Sequence, residues 1–167
     1  MTDTPNEKAK LWDLIKDTRF GMLTHRHDDG QLHSHPLTTQ NKKVDEGATL
    51  YFFVPKDGDI VRHVATDGSV NVAYANTDAD SYVSVSGQAS VLEDPAKKEE
   101  LFNPAAKAWF PGGPTDPNLA LLAVRILEAE YWDVDDSKMV QLLKMARSAI
   151  TGNPPTDLGE HKKLNVA

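Results

Sequence analysis

From Phe20 to Val134 the chain runs as short segments rich in β-branched and aromatic residues, each stopped by a turn residue or a proline, with only brief helical stretches between them. Parallel strands need long crossover connections, whereas these connections are hairpins or single short helices, so the pattern points to antiparallel β architecture. Phe20 to His27 and Gln31 to Gln40 flank Asp28-Asp29-Gly30 and read as a β-hairpin. Thr49 to Val54, halted by Pro55, reads as a buried strand. Ile60, Val61, Val64 and Ala65 recur at helical spacing and give a short amphipathic helix. Strands follow at Ser69 to Ala75 and Tyr82 to Leu92, the second with an interior Gly87 that marks a bend or bulge. Asp94-Pro95 opens a helix carrying Leu101 and Phe102, and Leu119 to Ile126 with Ala129 to Val134 form the last strand or strands.

The ends are helical. Thr4-Pro5-Asn6-Glu7 has the form of a capping box, leading into a helix with Leu11, Trp12 and Ile15 on one side. Met139, Leu142, Leu143, Ala146 and Ile150 make an amphipathic C-terminal helix, and the polar stretch from Thr151 is expected to be a mobile tail. A length of 167 residues suits one domain, taken as residues 1–150 with a tail over 151–167. The expected fold is mainly β, a closed antiparallel barrel with helical decorations.

Charge and composition exclude several functions. With 18 Lys+Arg against 25 Asp+Glu, the net charge of -7 offers no basic face for nucleic acid and no polybasic patch for a membrane. The absence of cysteine removes disulfides, thiol catalysis and iron–sulfur clusters, so any redox chemistry belongs to a bound cofactor. No window approaches 18 uninterrupted apolar residues and the first residues lack a signal-peptide core, giving a cytoplasmic expectation.

His25, His27, His33 and His35 form two His-x-His pairs on either side of the hairpin turn. A two-residue turn would send the pairs to opposite faces. A three-residue loop would set His25 across from His33 and put all four on one face. They are read as structural or solvent-exposed, with no metal site assigned, since neither cysteine nor an HExxH helix accompanies them. Ser34, His63 and an aspartate could be assembled into a triad, but no Gly-x-Ser-x-Gly elbow supports it. Gly-x-Gly-x-x-G and Walker loops are absent.

Five blocks occur in a telling order: His33-Ser34-His35-Pro36-Leu37, Leu50-Tyr51-Phe52-Phe53, Tyr82-Val83-Ser84-Val85-Ser86-Gly87, Ala108-Trp109-Phe110-Pro111 and Ala129-Glu130-Tyr131-Trp132-Asp133. Over about residues 8 to 135 this series resembles the pyridoxamine 5'-phosphate oxidase-like FMN-binding split barrels, in particular their general stress protein 26 branch. The resemblance implies a six-stranded antiparallel split β-barrel and a homodimer with two flavin sites between subunits. The ligand implied is FMN, or another flavin such as FAD or riboflavin, and the role that of a flavin carrier, sensor or weak oxidoreductase. Carried over by position, Ser34, His35, Pro36, Leu37 and Thr38 run beside the flavin, and Phe53, Val54, Lys56 and Gly58 close its phosphate and ribityl side. Tyr82 and Trp132 approach it, and Trp109 covers the ring. The aromatics suit a barrel core equally well.

Where the family holds phosphate-binding Arg and Lys, this chain has His35, Gln40, Asp59 and Ile60, which leaves Lys56, Arg62 and His35 as replacements. Asp133, Asp135 and Asp136 follow Trp132 where true oxidases hold the substrate phosphate with basic residues, so pyridoxamine phosphate oxidation is not expected. No catalytic residue is assigned. The competing expectation is a non-catalytic interaction domain with an empty flavin groove.

Overall fold

The computed structural model describes residues 5–43, 47–134, 138–154 and 159–166. Thr4 of the expected capping box, Asp135 and Asp136 of the acidic run and 155–158 of the expected tail lie outside the described residues. So do the side chains of Met139, Leu142 and Leu143.

Six strands, β1 (Gly21–Arg26), β2 (Leu32–Leu37), β3 (Thr49–Pro55), β4 (Ser69–Asn76), β5 (Ser81–Leu92) and β6 (Leu119–Asp133), pair in the antiparallel order β2-β1-β4-β5-β6-β3. The two ends of this path meet where the chain leaves β2. Thr39 bridges Phe52, and the Gln40 N–H donates to the Tyr51 carbonyl at 2.8 Å. The sheet thereby curls into a six-stranded antiparallel split β-barrel, as the resemblance implied.

Alternation along β3 gives the barrel two apolar faces. Leu50, Phe52 and Val54 point inward with Leu122 and Val124 of β6, while Tyr51 packs on the outer side with Leu121, Ala123 and Leu101. Leu101 comes from α3 (Pro95–Leu101), started by Asp94, whose carboxylate accepts from the Lys97 N–H at 3.0 Å. The inner core is covered by Leu11 and Ile15 of α1 (Pro5–Lys16) and by Ile60 and Val64 of α2 (Asp59–Val64). Asn103 caps the single-turn α4 (Pro104–Lys107) through the Ala106 N–H.

The last strand is one continuous 15-residue element rather than two. Its register against β5 jumps between Ser86↔Glu128 and Gly87↔Ile126, so the bulge expected at Gly87 is present. Only glycine fits there, since a Cβ would lie 2.6 Å from the Arg125 carbonyl oxygen.

Register at the hairpin also resolves. The His27 N–H donates to the Gln31 carbonyl at 2.8 Å, the Gly30 N–H returns to His27, and Gly30 has φ +85, the positive value a three-residue loop with a bulge requires. His25 therefore pairs with His33 and Leu23 with His35, and the histidines share one face.

Beyond α5 (Lys138–Thr151), the sequence led to the expectation of a mobile tail, and the structure corrects this for its last part. Glu160–Asn165 forms β7 and pairs with β6 from Glu128 to Asp133. The segment is polar because it is an edge strand. Leu164 alone faces the core, while Lys163 pairs with Glu128 at 2.9 Å and Lys162 with Glu7.

Candidate functional site

A groove runs along the outer side of β2 where it faces the end of β3. Its larger compartment, about 290 Å³, has one wall from Pro36, Leu37 and Thr38 and another from Phe53 and Pro55. Phe110 and Trp109, following α4, close it, with Phe20, Gln40, Ala106 and Asn118 at its margins. The smaller compartment, about 270 Å³, shares Pro36, Leu37 and Pro55 and continues past His35, Val54, Gly58 and Asp59. The walls come from barrel strands, whereas Trp109 stands 83% exposed on the loop at the lip. Phe110, buried and edge-on to Phe53 with ring centroids 6.5 Å apart, anchors that loop.

Gln40 sets the lip in position. Its Oε1 accepts from Asn103 Nδ2 at 2.7 Å and its Nε2 donates to the Thr38 carbonyl at 3.1 Å, tying the exit of β2 to the cap of α4. The resemblance places Gln40 only where the family holds a cation that this chain lacks, and Phe20, Pro55, Phe110 and Asn118 are not among the site residues it implies. The run of apolar and breaker residues at 108–114 was the one signal for Phe110.

Of the twelve residues implied by resemblance, His35, Pro36, Leu37, Thr38, Phe53, Val54, Gly58 and Trp109 line these two compartments. Ser34 does not. Its hydroxyl pairs with Thr24 at 2.7 Å, one register position off the histidine face. Lys56 is exposed, 3.8 Å from Glu93. Tyr82 and Trp132 are cross-strand partners on β5 and β6, half-exposed and away from the groove lining, and Trp132 stacks on His161 with centroids 5.0 Å apart.

The smaller compartment is poor in free positive charge. Arg62 is engaged by Asp59 in the next turn of α2. Burial works against the Asp59 carboxylate, yet the Arg62 guanidinium holds it below its ordinary range, so it is ionised at neutral pH. The acidic residue after Trp132 is also accounted for, because Asp133 is buried against Lys10 of α1.

Behind His35 lies a second constellation that sequence reading saw only in part. His27 is sandwiched between His33 and His63, at centroid distances of 3.6 and 3.9 Å, and His25 stacks on His35 at 5.1 Å. His63 was read as a triad candidate and packs here instead, brought in by α2. Its Nδ1 donates to the Asp59 carbonyl at 2.8 Å. His25 is fully buried, and neither of its ring nitrogens has a hydrogen-bond partner; His27 Nε2 and His35 Nε2 are likewise orphaned. Burial and the neighbouring imidazoles push His25 down to about 4, and burial lowers His27 too, so both rings are neutral at pH 7.

Known proteins share this architecture. A general stress FMN/FAD binding protein of Xanthomonas citri is 32% identical, matching 80% of this chain and 93% of its own with a TM-score of 0.68. General stress protein 26 of Bacillus anthracis has the same fold at 24% identity and a TM-score of 0.66, over 75% of this chain and 93% of that one. Protein bli-3 of Neurospora crassa is 27% identical across 93% of this chain and 79% of its own length. The family described as pyridoxamine 5'-phosphate oxidase like matches residues 6–156, and the chain belongs to that family.

Proposed function

We propose that the chain is a flavin-binding split-barrel protein of the general stress type that acts as a homodimer in the cytoplasm. FMN is its first ligand and FAD or riboflavin its alternatives, and the role is that of a flavin carrier, sensor or weak oxidoreductase. The observation that carries the reading is the slot between Pro36, Leu37 and Phe53 with Trp109 and Phe110 across its mouth. A planar tricyclic ring suits an apolar slot with an aromatic cover. The X. citri relative, described as FMN/FAD binding, lends it further support. When bound, the isoalloxazine supplies electron chemistry. The chain's own residues enclose it, with Thr38 and Gln40 as polar groups at the edge.

The phosphate end fits less well, since Asp59 faces it and Arg62 and Lys56 are engaged by carboxylates. The pocket accordingly favours the ring system over the group attached to it. A homodimer accounts for the exposed aromatics: a partner laying its Tyr82 and Trp132 near the lip would bury both them and Trp109.

An absorption spectrum of the purified chain, followed by titration with FMN, FAD and riboflavin, tests this. A bound flavin band near ~450 nm and quenching of tryptophan emission are expected. A colourless protein that takes up none of the three would leave the interaction-domain alternative. Sedimentation as a folded monomer at micromolar concentration would remove the homodimer.

A further inference from the structure

We propose that the imidazole cluster between the β1–β2 hairpin and α2 binds one divalent transition-metal ion of the zinc, nickel and copper class, held by His25, His27 and His35 with His63 and Asp59 as flanking donors. The proposal stands apart from the flavin reading.

One donor atom from each of His25, His27 and His35 lies within 4.8 Å of the other two, and the same is true of His27, Asp59 and His63. Donors in a tetrahedral nitrogen site with bonds of about 2.0–2.1 Å are roughly 3.3 Å apart, so closure requires the rings to turn and bring their donors together by up to about 1.5 Å. His25 is the stronger sign. A fully buried imidazole with both nitrogens unpaired is unusual, because buried polar atoms nearly always find a partner. A metal ion supplies that partner for His25, His27 and His35 together. His63 is already set for such a role: its Nδ1–H is used by the Asp59 carbonyl, which leaves Nε2 as the coordinating nitrogen, with the Asp28 carboxylate 3.9 Å from it. The nitrogen-rich set selects borderline transition metals over magnesium or calcium, which require oxygen ligands.

The test uses the full chain, flavin-free and without an affinity tag. Equilibrium dialysis against Zn²⁺ should load one equivalent per chain and raise the melting temperature. His35→Gln and His27→Gln should each weaken Zn²⁺ binding by about tenfold or more. His161→Gln, which alters a histidine stacked on Trp132 outside the cluster, should leave it unchanged. Should either cluster variant fail to fold, the unmodified chain loaded with Cu²⁺ decides: hyperfine coupling to several nitrogens supports the site, and an oxygen-only spectrum overturns it. Failure of the folded chain to retain zinc at micromolar free metal, or unchanged affinity in both folded glutamine variants, overturns it as well.

Discussion

The β3–β6 ladder and the β1–β2 hairpin belong to one barrel but use its interior in opposite ways. Along β3 and the first half of β6 both faces are apolar and buried, with Phe52, Leu121, Leu122 and Val124 all inaccessible to solvent. Strands covered on both faces read as continuous apolar runs, which Leu50 to Val54 and Leu119 to Val124 do. Across the barrel, β1 buries Leu23 and then His25, where a core would take leucine, and β2 sets the half-buried His35 and the exposed His33 opposite them. Each unpaired buried nitrogen there costs roughly 1–3 kcal/mol. The ladder is organised for stability. The hairpin gives up stability, and such local violations of burial rules are expected at functional sites.

The largest expected effect lies on the ladder. Phe52→Ala should lower stability by about 3–5 kcal/mol, read as a drop in the denaturation midpoint, because the strands on either side cannot collapse into the space. A loss under about 1 kcal/mol would show that the ladder is not where stability resides.

Acid should act on the other region. With a chelator present, the folded chain holds His25 at about 4 against about 6.5 when unfolded, burial and the facing His35, His27 and His63 outweighing Asp59. Below pH ~6.5 the unfolded chain binds more protons, so the stability carried by neutral His25 is complete above that pH and is lost as pH falls through about 4. The loss should be on the order of 2–3 kcal/mol across this window. His25→Leu should flatten that dependence and, by removing two orphaned nitrogens, raise stability at pH 7 by roughly 1–2 kcal/mol. Denaturant titrations from pH 7 to 4 measure both, and parallel curves for parent and variant would contradict the assignment.

The same contrast explains what could be read from the sequence. Strands with a buried face carry their own periodicity, so β3, β4, β5 and both halves of β6 were legible. β7 was not, because Glu160–Asn165 is an edge strand whose charges answer Glu128 and Glu7, partners far away in the chain. The four hairpin histidines were visible, but their common face depended on whether the turn held two residues or three. That choice turns on the Gly30 conformation. His63 and Asp59 joined them only through the packing of α2. The groove residues were readable by resemblance and not by pattern, since Pro36 and Trp109 meet through Gln40 and Asn103, 63 positions apart. Tyr82 and Trp132 were carried over by resemblance one by one; the structure makes them cross-strand partners that line neither compartment of the groove within one chain.

Asp59 stands on the border between the two regions and gives the smallest and most discriminating test. It lines the smaller groove compartment and also offers a carboxylate to His27 and His63. On the flavin reading, a phosphate entering that compartment meets this carboxylate and finds Arg62 engaged by it. Asp59→Asn should remove the repulsion and free the guanidinium together. In chelator, so that metal plays no part, FMN should tighten several-fold relative to riboflavin, because its phosphate gains a charge-assisted hydrogen bond that riboflavin cannot make. Riboflavin lacks the phosphate and reports any general loosening of α2, which would weaken both ligands alike. The gain should shrink as salt is raised, because an exposed charge effect is screened over about 8–10 Å. An FMN-to-riboflavin affinity ratio unchanged by the substitution would place the phosphate away from α2 and leave Asp59 to the histidine cluster alone.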